Sequence, residues 1–261
     1  MNRWAFGVVL VLLAGTASEQ TFTPKKIFEQ NKGAIVRIFV NGTISGCGFI
    51  VSGDGLIVTA NHVIASAKPT QEQPFPIAVE MLGQSKSHFA TVADHSVSAD
   101  VAVLRITGSG FPHVTLGDST TVQVYDPTTL VTFWPAGNAP LLLTGIVSGI
   151  GAVGGTNAIV FQIPVRKGFS GSPIFDSHGK VVGIVTTRLV GIAPNLDTIR
   201  EQMETLIQQK QIVIIQGANY AETIAGLIDS LDSDLVSGLG SAVSIDYATA
   251  MVNKQESSKQ K

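Results

Sequence analysis

Apolar residues come in short runs along most of this chain. From residue 34 onward, stretches rich in Val, Ile, Phe and Thr alternate with breaks of Gly, Asn and Asp, the pattern of short β-strands joined by tight turns. Six runs occupy the first half: residues 34–40, 46–51, 56–59, 77–82, 89–93 and 101–106. Six more follow: 121–133, with Pro127 as an expected break, then 141–148, 159–165, 172–175, 181–187 and 241–245. Two sets of six with hairpin-length connections predict an all-β chain folded as two six-stranded antiparallel β-barrels in series, over 34–115 and 116–252.

The period changes in two places. Before the last run, Leu196, Ile199, Met203 and Leu206 recur at three- and four-residue intervals, one face of a helix that Pro194 and Asn195 are placed to start. Ile224, Leu227, Ile228 and Leu231 repeat the pattern. A helical insertion is therefore expected over about 195–236, either packed on the second barrel or presenting a face to another copy of the chain. Within an N-terminal segment over 18–33, Thr23 and Pro24 are suited to open a short helix that turns Ile27 and Phe28 inward. Residues 253–261 are polar and are expected to fray.

Residues 1–17 read as a secretion signal. Arg3 supplies the positive start, 5–13 is an uninterrupted apolar run, and Gly15, Thr16 and Ala17 are small, which places cleavage after Ala17. That run is shorter than the ~20 residues a spanning helix needs, so no membrane span is expected after cleavage. An uncleaved anchor is the alternative. The implied location is exported, periplasmic or secreted.

Composition narrows the picture further. With 44% hydrophobic and only 14% charged residues, the chain has enough apolar side chains to build cores and does not read as disordered. A net charge of −2 with no basic stripe argues against nucleic acid as a partner. Cys47 is the single cysteine, so no internal disulfide forms and stability rests on packing. Cys47 itself reads as a buried apolar filler. Asn41-Gly42-Thr43 reads as a hairpin turn as well as a glycosylation sequon.

Three stretches carry candidate chemistry. In Gly168-Phe169-Ser170-Gly171-Ser172-Pro173, the two glycines permit the tight backbone a nucleophilic serine needs, and the N–H groups of Gly168 and Ser170 are placed to converge as an oxyanion hole. In Thr59-Ala60-Asn61-His62, a histidine follows directly on a strand, in a turn of small residues. In Ser98-Ala99-Asp100-Val101, a carboxylate precedes a strand, suited to accept from the His62 ring and fix its tautomer. Each alone also has an ordinary reading as turn chemistry. His88, His95, His113 and His178 lack metal-ligand spacing, and no metal or other cofactor is expected.

Together these stretches resemble the trypsin-like serine peptidases of chymotrypsin-like fold, and among them the bacterial HtrA/Deg type. The matching text includes Gly46-Cys47-Gly48-Phe49-Ile50-Val51, Asp54-Gly55-Leu56-Ile57-Val58-Thr59 with His62, then Asp100-Val101-Ala102-Val103-Leu104. It continues through Thr144-Gly145-Ile146-Val147-Ser148-Gly149, the serine stretch, Gly179-Lys180-Val181-Val182-Gly183-Ile184 and Gly238-Leu239-Gly240-Ser241-Ala242-Val243. The resemblance spans about 34–252. It implies a cleft between two barrels, a triad of His62, Asp100 and Ser170, an oxyanion hole at Gly168 and Ser170, and protein or peptide substrates.

The chain departs from the trypsin pattern at several points. Phe169 stands where trypsin-type enzymes place an aspartate, and HtrA/Deg proteins also lack that aspartate. Ser172 stands where a second glycine is usual. Pro164, six residues before the serine, removes the acid that selects Arg or Lys. With Val185 and Thr186 as expected pocket walls, this favours a small or medium aliphatic side chain before the cut. Only about ten residues follow Val252, so no PDZ segment is expected after the match. A catalytically silent relative that binds peptides or scaffolds an assembly is the alternative function. An α/β-hydrolase is excluded by Ser172 at the final position of Gly-x-Ser-x-Gly and by a histidine that precedes the serine.

Overall fold

A computed structural model describes residues 21–70, 74–81, 84, 86–133, 139–153, 155–186 and 238–258, together with short stretches between 202 and 226. Residues 1–17, read as a signal, lie outside the described residues, as does most of the expected helical insertion. Within that insertion, 202–203, 205–207, 223–224 and 226 are helical, and a small ladder pairs β13 (Ile214–Ile215) with β14 (Ala218–Asn219).

The first barrel contains β1 (Ile35–Val40), β2 (Thr43–Ile50), β3 (Leu56–Thr59), β4 (Ile77–Met81), β5 (Ser87–Ser96) and β6 (Val101–Ile106). It closes in the order β1-β2-β3-β6-β5-β4, antiparallel throughout. Strand β4 gives the reason in miniature: Ile77, Val79 and Met81 are buried while Ala78 and Glu80 are not, the two-residue period of a sheet with one covered face. The whole of β3 is buried, and its C-terminal end delivers the chain to the short helix α2 (Asn61–Ile64).

The second barrel contains β8 (Pro127–Phe133), β9 (Pro140–Val153), β10 (Thr156–Phe161), β11 (Pro173–Phe175), β12 (Lys180–Thr186) and β15 (Gly240–Ser244). Its order is β11-β8-β9-β10-β15-β12, and the β11–β12 pairing closes the ring. Pro127 opens β8 instead of breaking a longer strand, as suits a residue with no N–H for the ladder. The two-residue β7 (Thr115–Leu116) pairs parallel with β12 and extends the sheet at its edge; it is too short to leave a periodic signal. The expected twelve strands are all present, with ends shifted by a few residues.

The barrels share a core. One buried cluster runs from the first barrel (Val36, Ile38, Phe49, Leu56) into the flank of the second through Val131, Phe133, Phe175 and Ile184. A separate cluster of Leu130, Ile159, Phe161, Ile174 and Val185 fills the second barrel. Strand β8 is buried on both faces because Leu130 turns into its own barrel and Val131 into the shared cluster. Arg37 of β1 pairs with Glu80 at 2.8 Å and lies over Phe133, its guanidinium carbon 5.7 Å from the ring centroid.

Two helices flank this core. Helix α1 (Pro24–Asn31) starts where Thr23 accepts from the Lys26 N–H, and it buries Ile27. Phe28 packs at the edge of the shared cluster. The C-terminus differs from expectation. Helix α3 (Asp246–Ser257) carries the chain through what reads as a polar tail. Ala248 and Val252, four residues apart, are buried, and Lys254 reaches Asp94 of β5 at 3.0 Å. Among the described residues no helix is long and apolar enough to cross a membrane.

The barrels approach each other tightly at Gly46 and Gly171. A Cβ on Gly46 would lie 2.7 Å from Val63 Cγ2 and 2.9 Å from the Ser170 carbonyl oxygen. A Cβ on Gly171, whose φ is +84°, would overlap the Cys47 carbonyl oxygen and Thr59 Oγ1. Gly171→Ala is therefore expected to lower stability by about 2 kcal/mol or more, read as an earlier urea midpoint. The α3 contact makes a pH prediction. The Lys254 ammonium holds the Asp94 carboxyl below its ordinary 3.8, so the pair stabilises the fold above that value and the contribution is lost as pH falls through the lowered one. Lys254→Met should unfold earlier than the parent near neutral pH, and the gap between the two should close in acid.

Candidate active site

His62 and Asp100 are brought together from opposite ends of neighbouring strands. β3 and β6 pair with Thr59 opposite Ala102, so the turn after β3 and the turn before β6 lie at the same end of the first barrel. His62 sits in α2 and Asp100 in the turn entering β6. Asp100 has φ +52°, a left-handed conformation that Asp tolerates when its short side chain bonds locally. Around it, the Asp100 N–H donates to Val97 O and the Ala99 N–H to Ser96 Oγ. Thr156 Oγ1, from the start of β10, donates to Ser98 O at 2.9 Å.

The bent turn aims the whole Asp100 residue at α2. The Asn61 N–H donates to Asp100 O at 3.1 Å. The His62 N–H donates to Asp100 Oδ1 at 2.9 Å, and His62 Nδ1 lies 2.7 Å from Asp100 Oδ2. One carboxylate thus grips both the backbone and the ring of a single residue. An ionised carboxylate only accepts, so Nδ1 carries the hydrogen and the neutral ring keeps its lone pair on Nε2. The ring remains accessible, with about a third of the side chain exposed, while Asp100 is more enclosed.

Ser170 comes from the second barrel, in the turn between β10 and β11. The Phe169 N–H donates to Arg166 O at 3.0 Å, closing a four-residue turn with Gly168 at its third position and φ +96°. A positive φ there is the signature of a type II turn, which sets the direction of the Lys167–Gly168 peptide. Among the described residues no backbone acceptor takes the Gly168 N–H. Past the serine, the Gly171 N–H donates to Val185 O and the Ser172 N–H to Phe169 O.

The turn is anchored by packing. Phe169 is buried among Leu130, Ile174 and Val185. Full burial of such a ring is worth roughly 1.5–3 kcal/mol, and it serves here where trypsin-type enzymes use a charged side chain. Ser172 is fully buried too, and its hydroxyl donates to Thr132 Oγ1 at 2.8 Å, so this departure from glycine is accommodated and hydrogen-bonded. The Cys47 N–H of the first barrel donates to Ser170 O at 2.8 Å. Gly46 has both Val63, next to His62, and Ser170 O against its α-carbon, so the serine turn and the histidine turn meet across it.

The expected pocket residues separate. Pro164 is exposed. The Val185 side chain belongs to the second barrel's core, a correction to its expected place on a pocket wall: its backbone N–H and C=O pair with Ser172 and Gly171, which turns the side chain inward. Thr186 is buried, and its carbonyl accepts from Ser241 Oγ at 3.2 Å. Cys47 is buried as expected, and burial pushes its thiol up from the ordinary value. It is more than filler, however, because Sγ donates to Gly168 O at 3.3 Å. Thr132 and the polar use of Cys47 leave no local signal; they exist only once two barrels meet.

Comparison with known proteins agrees with the double-barrel fold. Residues 46–184 match the trypsin-like peptidase domain. A probable periplasmic serine endoprotease, DegP-like, from Ectopseudomonas mendocina is 30% identical over 202 residues, which is 75% of this chain and 40% of that protein. The chain thus spans well under half the length of that relative. A crystal structure of Deg5 superposes with a TM-score of 0.54 at 28% identity, covering 62% of this chain and 83% of that one. An HtrA-type protease, AlgW with tripeptide, superposes at 0.60 over 87% of this chain and 62% of its own, and at 19% identity it speaks for the fold alone. With the family match covering more than half the chain and both barrels in place, this chain belongs to the trypsin-like peptidase domain family.

Proposed function

We propose that the chain is a serine endopeptidase that cleaves protein or peptide substrates through an acyl-enzyme. The carrying observation is the two-point grip of Asp100 on His62, which leaves Nε2 as an acceptor, in a turn that meets the Ser170 turn across Gly46. In this reading, Ser170 Oγ attacks the scissile carbonyl as His62 Nε2 takes its proton. The carbonyl oxygen becomes an oxyanion facing the N–H groups of Gly168 and Ser170. Collapse of the tetrahedral intermediate breaks the C–N bond, and His62 returns the proton to the leaving amine. Water then attacks the acyl-enzyme by the same route, with His62 again as base, releasing the acid and restoring Ser170. Asp100 holds the tautomer and stabilises the imidazolium.

Substrate choice follows from the region of Pro164 and Thr186. Phe161 and Val165 fill the space over Gly240, where a Cβ would overlap both. This supports a small or medium aliphatic side chain before the cut, and Pro164 offers no carboxylate for a basic one. An exported, periplasmic setting fits both the signal-like residues 1–17 and the name of the relative from Ectopseudomonas mendocina.

The purified protein should be labelled by a fluorophosphonate probe and should digest casein, with both lost in Ser170→Ala. A folded wild type that does neither, even with denatured casein present, sinks the peptidase reading in favour of a silent, peptide-binding relative. Asp100→Asn should keep the fold, since its backbone bonds survive. It should lower kcat by about 10⁴ through loss of the His62 tautomer.

A further inference from the structure

Under the serine turn lies a buried chain of polar side chains drawn from both barrels. Cys47 (β2), Thr132 (β8) and Ser172 (just past the turn) are each at most 1% exposed. Their hydrogen bonds run in one direction. Cys47 Sγ donates to Gly168 O at 3.3 Å. A thiol has one hydrogen, so toward Thr132 Oγ1, 3.5 Å away, the sulfur is the acceptor. Thr132 in turn accepts from Ser172 Oγ at 2.8 Å. The sequence Ser172 to Thr132 to Cys47 to Gly168 O therefore uses the Thr132 hydroxyl and the Cys47 thiol each as acceptor and donor and ends on the backbone of the turn.

That end point matters because Cys47 also donates its backbone N–H to Ser170 O. One residue of the first barrel holds two carbonyls of the second barrel's turn, those of Gly168 and Ser170. The Ser170 N–H lies between these two carbonyls and the Gly168 N–H just before the first of them, and these are the two N–H groups assigned to the proposed oxyanion hole. A thiol is a weak donor in water. In a fully buried site bulk water does not compete with Gly168 O for it, and neighbouring hydrogen bonds polarise one another.

Resting on the serine peptidase reading above, we propose that Ser172, Thr132 and Cys47 are positioning residues that hold the Gly168 and Ser170 N–H groups in the arrangement that binds the oxyanion. None of the three side chains touches substrate. Their effect falls on the transition state, where the negative oxygen exists, and so on kcat more than on KM.

The test uses Thr132→Val, which keeps the shape and removes both hydrogen-bond roles, against Thr132→Ser, which keeps the hydroxyl. Fluorescent casein supplies kcat and KM, and fluorophosphonate labelling supplies an independent rate through the same oxyanion. Thr132→Val should lose about tenfold in kcat and in labelling rate with KM within about twofold, while Thr132→Ser stays near wild type. Ser172→Ala, which cuts the chain at its far end, should shift kcat in the same sense by about two- to threefold; it decides the matter if Thr132→Val does not fold. Wild-type kcat in folded Thr132→Val, or in folded Ser172→Ala where that variant decides, overturns the proposal. So does an equal loss in Thr132→Ser, which would assign the effect to packing. A wild type that neither labels nor cleaves sinks the peptidase reading itself, and that failure appears before any variant is compared.

Discussion

The structure depends on how closely two barrels approach at one point. Between Gly46 and Cys47 on one side and Ser170 and Gly171 on the other there is no room for a single Cβ. The backbone hydrogen bond from Cys47 to Ser170 O forms only because both glycines are there. Hydrophobic burial brings the barrels together through Val131, Phe133 and Phe175, but burial is non-directional and tolerates sliding by an ångström. The glycine contact and its hydrogen bonds do not. They convert a greasy interface into a fixed register, and the Ser170 turn inherits that register.

Each half of the site is rigid for a different reason. In the first barrel, the Asp100 turn stores an unfavourable backbone conformation, left-handed φ at a residue other than glycine, and repeated hydrogen bonds hold it there. In the second, a phenyl ring and a line of buried hydroxyls support a turn that glycines allow to be tight. Both halves sit at strand ends, where the scaffold is stiff and the chain is free to bend.

Much of this was legible before any coordinates. Strands such as 56–59 and 101–106 stand out because their apolar residues run between sharp turn signals, and His62 and Asp100 lie directly at their ends. The long β9, by contrast, outruns its apolar run because its far half, including Ile150, is exposed on both sides of the period. Helix α3 was missed although Tyr247, Ala248, Met251 and Val252 carry a helical stripe; the polar residues around them dominate the composition. Val185 illustrates a deeper limit. Its place next to Thr186 in the sequence says nothing of which face it turns, and the bonds to Gly171 and Ser172 that decide this are long-range. The buried contacts of Cys47 and Thr132 were illegible for the same reason.

The division of the site between barrels has a consequence for how its reactivity is set. His62 and Asp100 both belong to the first barrel, and the second reaches the Asp100 turn through Thr156 Oγ1 on Ser98 O. Ser170 belongs to the second, and its alignment to His62 is a property of the seam. A shift of one barrel against the other works against the bonds by which Cys47 of the first barrel grips Gly168 and Ser170 of the second, and so bears on the proposed nucleophile and its oxyanion donors. A reaction that needs its atoms within a few tenths of an ångström therefore responds first to the seam. The supports of that seam are glycines, neutral hydroxyls, a thiol pushed away from ionisation and apolar rings. None of these changes charge near neutral pH, and the proton traffic of the site is left to His62.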